Sequence, residues 1–299
     1  MTERPVEQLR RLCPAKVNLY LKVTGRREDG YHELVTVMQP LSLADILTVT
    51  RKAEGLSLTC DHPHLPSGPE NLVWRAARAF AEALGQPVDV HLNLEKRIPL
   101  AAGLGGGSSD AAGTLLALNR LYREPLPAAT LHRLAAGLGA DAPFFLSPAP
   151  QIGRGIGTEL TPIRLPPYWY VLVNPGFPVS TGEVYRGLEL EALARRTPPL
   201  PQDFAGRPPR AWVGNDLETV TLNLFPELNH LLSALADAGA EARGMSGSGP
   251  TLFGLFSGAP EALRAARRLR EHYSGWLAVA RGLTGEAGEA DWGDLAWII

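Results

Sequence analysis

The sequence predicts two domains of mixed α and β structure, and three observations predict it. The 299 residues are about twice the ~150 of an ordinary domain, one large domain being the alternative. Segments of period-two alternation are interleaved with segments of helical spacing. A glycine-rich run, "GLGGGSS" at 103–109, joins a strand pattern to a helix pattern. The first half reads as an α/β unit and the second as α+β. The best boundary lies near Leu165-Pro166-Pro167, giving domains 1–166 and 167–299.

Val17, Leu19, Leu21 and Val23 alternate with Asn18, Tyr20 and Lys22, the pattern of a half-buried strand. Asp29-Gly30, within "GRREDGYHEL", signals a turn, and "DILTVTRK" and "LSLTC" read as further strands. Leu72, Val73, Ala76, Phe80, Ala83 and Leu84 recur at helical spacing behind an Asn71 cap, and Gly85 and Pro87 stop that helix. "VDVHLNL" is a strand that delivers the chain into the glycine run. "ATLHRLAAGLGADAPFFL" predicts a helix ending at Gly137 or Gly139, with Asp141 in the turn beyond.

In the second half, "YWYVLVNPG" is an apolar strand and 195–209 an exposed loop. Helices follow around "NDLETVTLNLFPELNHLLSALADAG", broken near Pro226. "GMSGSGPTLFGLFS" reads as turn then strand, "PEALRAARRLREHY" as a helix with proline in its first turn, and "GWLAVARGL" as the final strand. The tail carries Trp292, Leu295, Trp297 and Ile298, expected to dock on the body or on a second subunit.

A net charge of −2 argues against a nucleic-acid partner, which would call for a basic stripe. "MTERPVEQLRRL" lacks the apolar core of a signal peptide, and no apolar run approaches the ~18 residues of a membrane span. The expectation is a cytoplasmic chain without membrane contact. Cys13 and Cys60 are too few for a disulfide framework and read as reduced, structural thiols.

The glycine run carries the chemistry. A glycine turn feeding a helix N-terminus presents several backbone N–H groups and about half a positive charge, which suits phosphate. Glycine permits the close approach and the positive φ that such turns use. Ser108 and Ser109 add hydroxyls or cap the helix, and Asp110 falls in its first turn. A P-loop is excluded because no Lys-Ser or Lys-Thr follows. The dinucleotide fingerprint fails because its last position, counted from Gly103, is Ser108. The nucleophile elbow fails because the fifth residue from Gly244 is Ser248.

"PLAAGLGGGSSDAA" resembles the phosphate motif of the galactokinase, homoserine kinase, mevalonate kinase and phosphomevalonate kinase superfamily. "PAKVNLYL" and "GMSGSGPTLFGLF" fall in the order of its other two motifs. The resemblance implies an N-terminal α/β domain like ribosomal protein S5, a ferredoxin-like C-terminal α+β domain, and substrate in the cleft between them. It implies an ATP-dependent small-molecule kinase, with magnesium on the nucleotide. Pro99, Ala101, Ala102, Gly103, Leu104, Gly105, Gly106, Gly107, Ser108 and Ser109 match the ATP loop.

"PAKVNLYL" together with "GRREDGYHEL" is similar to those superfamily members whose acceptor is a cytidine diphosphate ester of methylerythritol, phosphorylated on its 2-hydroxyl in the non-mevalonate isoprenoid route. "LGADAPFFL", "GRGIG" and "NDLE" add to that match. By this resemblance Asp141 takes the hydroxyl proton and Lys16 offsets charge beside it. Asn18, Tyr31, His32, Thr181 and Tyr185 bind the cytidine substrate, and Gly247 and Gly249 support the wall of the site. Many relatives carry phenylalanine where Tyr185 stands. The alternatives are another kinase of the superfamily, of mevalonate or homoserine type, and a nucleotide-binding regulator without chemistry. The chain is expected to act as a monomer or homodimer.

Overall fold

The computed structural model describes residues 7–147, 149–189, 197–201, 203–285 and 296–299. Two strands are far longer than their alternation suggested: β1 (Gln8–Arg26) and β2 (His32–Arg51). Both are buried along most of their length, Leu12–Leu21 without a break, so the polar residues that alternate at 16, 18 and 20 lie in the interior and β1 is not the half-buried strand its pattern predicts. The chain divides into two compact units interleaved in sequence, and each long strand begins in one and ends in the other. The expected boundary at 166/167 falls just ahead of the first strand of the second sheet.

The first unit comprises 1–14, 44–98 and 105–147. Its sheet places β4 (Val90–Glu95) antiparallel to the end of β2 and parallel to β3 (Leu56–Cys60). Helices α1 (Leu72–Leu84), α2 (Gly106–Leu121) and α3 (Ala128–Leu138) cover it, and a 3-10 turn, Ala142–Leu146, follows. α1 forms as its spacing predicts. The Asn71 side chain accepts from Val73 N at 2.9 Å, and Gly85, at φ +75°, turns back to Ala81 and Glu82. Phe80, Leu92, Leu115 and Leu118 form the core with Cys13. Burial pushes the Cys13 thiol well up, and that of Cys60 up, so both stay protonated at neutral pH, as structural thiols do.

The second unit comprises 15–43, 99–104 and 148–299. There the start of β2 pairs with β5 (Gln151–Arg154), which forms a hairpin with β6 (Glu159–Pro162). The end of β1 runs parallel to β8 (Gly214–Asn215). The second sheet is antiparallel, ordered β12 (Ala296–Ile298), β11 (Trp276–Arg281), β7 (Trp169–Asn174), β10 (Leu252–Phe256), β9 (Ala242–Met245). Helices α6 (Leu228–Asp237) and α7 (Ala259–Arg270) pack on it; α4 (Thr181–Arg186) and α5 (Asp216–Leu224) precede them. The mixed α/β and α+β architecture is the one expected.

Two expectations are corrected, and a third, docking of the tail, resolves to the body. The segment 195–209 is not simply an exposed loop among its described residues: Thr197 donates to the buried Asp216 carboxylate, and Phe204 packs edge-on against the fully buried Trp212. β11 is not the final strand, because β12 adds to its edge. Trp297 stacks on Trp169 at 5.5 Å, so this part of the tail docks on its own sheet; Trp292 and Leu295 lie outside the described residues. β5 and β6 carried no alternation to announce them.

Gly113 of α2 marks the tightest packing in the first core. A Cβ there would stand 2.4 Å from Cys13 Sγ. Gly113→Ala gains up to about 1 kcal/mol of helix propensity but overpacks the core by about 1–3 kcal/mol. The expected net result is destabilisation in urea unfolding, and Cys13→Ala in the same chain is expected to recover most of it.

Candidate active site

In the second unit, β1 sets Lys16 and Asn18 two residues apart, hence on one face, and both are buried, 3% and 4% exposed. Lys16 Nζ donates to Asn18 Oδ1 at 2.6 Å, and Asn18 Nδ2 donates to Thr36 Oγ1 at 2.8 Å. The Thr36 hydroxyl in turn donates to the Tyr20 carbonyl at 2.8 Å. Lys16 is therefore no solvated surface charge. Burying an ammonium is costly, so its place on an interior face is built rather than incidental.

The turn Ser246–Gly249, between β9 and β10, closes on these residues. Asn18 N donates to Ser246 Oγ at 3.2 Å, and Ser246 Oγ donates to the Gly103 carbonyl at 2.9 Å. A Cβ on Gly247, which sits at φ +59°, would stand 3.4 Å from Asn18 Oδ1 and 3.7 Å from Lys16 Nζ. Asn215 Nδ2 donates to the carbonyls of Met245 and Gly247, at 2.8 and 2.7 Å. Thr181 Oγ1 meets Ser248 Oγ at 2.8 Å. The structure thus gathers Lys16, Asn18, Gly103, Thr181 and Gly247 around one turn.

Tyr31 and His32 follow the Asp29-Gly30 turn, whose Asp29 carboxylate accepts from Tyr31 N at 3.1 Å. The Tyr31 ring is 61% exposed. His32 stacks on Tyr185 of α4, ring centroids 4.9 Å apart and planes 29° from parallel. Burial first, and the nearby Arg26 second, hold the His32 imidazolium below the usual histidine range, which favours the neutral ring.

The glycine run starts in the second unit, where Lys16 N donates to the Leu104 carbonyl at 2.9 Å. Ala101, Gly103 and Gly105 all have positive φ, at 50°, 75° and 71°. In the first unit the run becomes α2, whose N-cap is Gly105 without a side-chain cap. The serines therefore do not cap, and Asp110, fifth in the helix, lies beyond the first three N–H groups that the helix leaves unpaired. A Cβ on Gly106 would approach Ile98 to 3.2 Å, and one on Gly107 would approach Leu72 to 3.3 Å. Gly139, which closes α3, is as near to Ser108: its Cβ would stand 3.4 Å from the hydroxyl. Asp141, two residues on, has helical backbone angles and its carboxylate does not cap the 3-10 turn it precedes.

The sequence reading missed a buried triad under this loop. Lys96 Nζ donates to Asp45 Oδ2 and, at 2.7 Å, to Asp110 Oδ2. Asp45 Oδ1 accepts from Arg97 N at 2.6 Å and Ile98 N at 2.9 Å. The triad ties the strand end before the run to the helix after it. The two carboxylates raise the Lys96 pKa, although burial alone would lower it. Burial first and Asp45 second raise Asp110 well above the usual carboxylate range. Asp110 Oδ1 and Ser109 Oγ are buried without a hydrogen-bond partner among the described residues. The signal available in sequence was Lys96 itself, a cation immediately ahead of a phosphate-type loop.

Comparison with known proteins adds the following. Residues 71–148 match the GHMP kinases N terminal domain, and 190–275 match GHMP kinases C terminal. The chain is 46% identical over 286 residues to the 4-diphosphocytidyl-2-C-methyl-D-erythritol kinase of Thermus thermophilus, covering 94% of this chain and 98% of that one. It is 45% identical over 259 residues to the kinase of the same name from Syntrophus aciditrophicus, covering 86% and 93%. A crystal structure of 4-(cytidine 5'-diphospho)-2C-methyl-D-erythritol kinase superposes with a TM-score of 0.80 at 45% identity, covering 92% of this chain and 99% of that one.

Lys96→Met would leave two buried carboxylates without the cation between them and is expected to cost about 3–5 kcal/mol of unfolding free energy. Asp110→Asn keeps an acceptor for Lys96 and removes the surplus charge. Because the folded Asp110 holds its proton to higher pH than the ~3.9 of an unfolded aspartate, the native chain loses stability through this group as pH rises from about 4. The stability of Asp110→Asn relative to the parent is therefore expected to increase between pH 4 and 7 in urea titrations. A pH-independent difference would show that Asp110 is ionised throughout.

Proposed function

The chain belongs to the GHMP kinases and, within them, to the 4-diphosphocytidyl-2-C-methyl-D-erythritol kinase family, and from that premise we propose that it transfers the γ-phosphoryl group of ATP to the 2-hydroxyl of 4-diphosphocytidyl-2-C-methyl-D-erythritol in isoprenoid precursor synthesis. The observation that carries this reading is identity of 46% over 286 residues, covering 94% of the chain. The enzyme works in the cytoplasm as a monomer or homodimer on small molecules. Among the described residues no helix is long and apolar enough to cross a membrane.

Phosphoryl transfer asks for positioning and charge stabilisation. Asp141 accepts the proton of the 2-hydroxyl; the oxygen then bonds to the γ-phosphorus, the β–γ bridge bond breaks and ADP leaves. That role is supported by the match of "LGADAPFFL" to the family, which places Asp141 at the head of the 3-10 turn after α3. Lys16, held by Asn18, offsets the charge that develops on the reacting oxygens. The unpaired N–H groups at the start of α2 and the glycines from Gly103 to Gly107 receive the phosphates, supported by an N-cap that offers no competing side chain.

Magnesium, when bound on the triphosphate, neutralises the β- and γ-phosphate charge. Among the described residues no three His, Cys, Asp or Glu side chains group to hold a metal ion. The ion is taken as cargo of the nucleotide, with Ser108, Ser109 or water as the further oxygen it would bind. Neutral His32 reads the pyrimidine edge, and Tyr31 and Tyr185 offer ring faces worth about 1–3 kcal/mol per stacked base. Thr181 lines the same pocket. The hydroxyl of Tyr185 leaves the ring face available for stacking.

Purified protein with Mg-ATP is expected to release ADP with the cytidine substrate and not with mevalonate or homoserine. Turnover with either of the latter would overturn the acceptor assignment. Asp141→Asn is expected to lower kcat by about 10²–10⁴-fold with a small change in KM, and near-normal turnover would remove Asp141 as the base. KM for the cytidine substrate is expected to rise as pH falls below the ordinary histidine range of ~6.5, because protonation spoils the neutral edge of His32.

A further inference from the structure

Within the first unit a groove of about 540 Å³ separates α1 from α3, a volume in the range of small-molecule sites, about 300–1,000 Å³. None of its lining residues has a part in the reaction above. Arg75 and Arg78 enter it from α1 and Arg133 from α3, beside Trp74 and Leu134. Arg78 is loosely paired with Glu82, at 3.6 Å with both side chains exposed. Arg75 and Arg133 make no side-chain hydrogen bond or ion pair among the described residues. Three guanidinium groups against one carboxylate make a local surplus of positive charge in a chain whose net charge is −2.

The apolar part is equally specific. Trp74 and Leu134 are half-buried, their inner faces packed on the core. Gly137 lines the groove from α3, and a Cβ built there would meet nothing within 4 Å. Glycine in a helix costs up to about 1 kcal/mol relative to alanine. No crowding demands it here; its effect is to leave the groove open. Gly137 lies in the last turn of α3, where the helix dipole is negative and a bare anion is disfavoured. The groove thus has a cationic part and an apolar part.

We propose that this groove binds a small amphipathic phosphate ester, its phosphate or diphosphate held by Arg75, Arg78 and Arg133 and its hydrocarbon part lying on Trp74, Leu134 and the open space at Gly137. Guanidinium forks match phosphate oxygens two at a time, which a lysine cluster would not. The single glutamate partnered to Arg78 leaves that arginine able to turn toward an anion, since exposed pairs of this kind are weak. The proposal does not depend on the kinase reading.

The test is isothermal titration of the full-length protein, saturated with ADP to occupy the glycine loop, with isopentyl diphosphate, inorganic pyrophosphate and isopentanol as separate titrants. Isopentyl diphosphate is expected to bind with one-to-one stoichiometry and the other two at least about tenfold more weakly. Arg75→Ala with Arg133→Ala is expected to weaken binding by at least about tenfold, and Gly137→Leu, a good helix former that fills the groove, to abolish it. ADP release with the cytidine substrate is expected to stay at the parent rate in both variants, which shows that they fold. No binding of the ester, equal binding of pyrophosphate, or undiminished binding by the variants would each overturn the proposal.

Discussion

Gly103 and Ser246 approach so closely that no side chain fits between them: a Cβ on Gly103 would stand 2.2 Å from the Ser246 carbonyl oxygen. Much of the second unit's site depends on that contact. The Ser246 hydroxyl donates to Gly103 and accepts from Asn18 N, so one side chain fixes the glycine run against β1. Lys16, two residues from Asn18 on the same strand face, then inherits its position from the same anchor. Replacing Gly103 would move all three segments together, because interiors at this density pass strain on rather than absorb it.

The first unit solves a related problem with charge. Fixing a loop whose glycines cost entropy to order calls for rigid attachment at its two ends. Asp45 holds the backbone N–H groups of Arg97 and Ile98 just before the loop, while Lys96 reaches across to Asp110 in the helix just after it. A buried ion triad is a poor source of net stability, since desolvation offsets most of its attraction. What it provides is geometry: one ammonium joins the two carboxylates and carries the charge that a neutral amide would lack. Burial first, and the second carboxylate after it, raise the Asp110 pKa above the usual carboxylate range.

How much of this was legible in the sequence follows from what each segment buries. α1 was read correctly from Asn71 to Gly85 because one face is apolar, one is polar, and both ends carry residues that cap by side chain or by positive φ. The break between α5 and α6 at Pro226 was legible from its proline, and the turn and strand of "SGSGPTLFGLF" from their glycines and apolar run, but β9 ahead of that turn was not. The long reaches of β1 and β2 were not, because strands buried on both faces lose the alternation that marks a strand. Nor was the Lys96 triad, whose three members stand at 45, 96 and 110 and are joined only by the fold. In the segment from Thr197 to Trp212 the prolines suggested exposure, but Phe204 and Trp212 find each other in the interior.

The capping pattern separates structural from chemical use of the polar residues at helix starts. Asn71, Ser180 and Asn215 all take extended backbone angles and accept a hydrogen bond from the first turn of the helix they precede. Each cap bond is accounted for by local structure, although Asn215 also spends its Nδ2 on the turn carbonyls of Met245 and Gly247. Asp141 is of a residue type that caps as well as these, and it stands ahead of a helical turn, yet its φ of −82° and ψ of −15° are already helical and its carboxylate makes no cap bond. Gly105, ahead of α2, has no side chain to cap with at all. At Gly105 the missing cap leaves the first N–H groups of α2 without a side-chain acceptor, the arrangement that suits a phosphate. Local stability is forgone at these two helix starts, and both belong to the motifs that carry the kinase assignment.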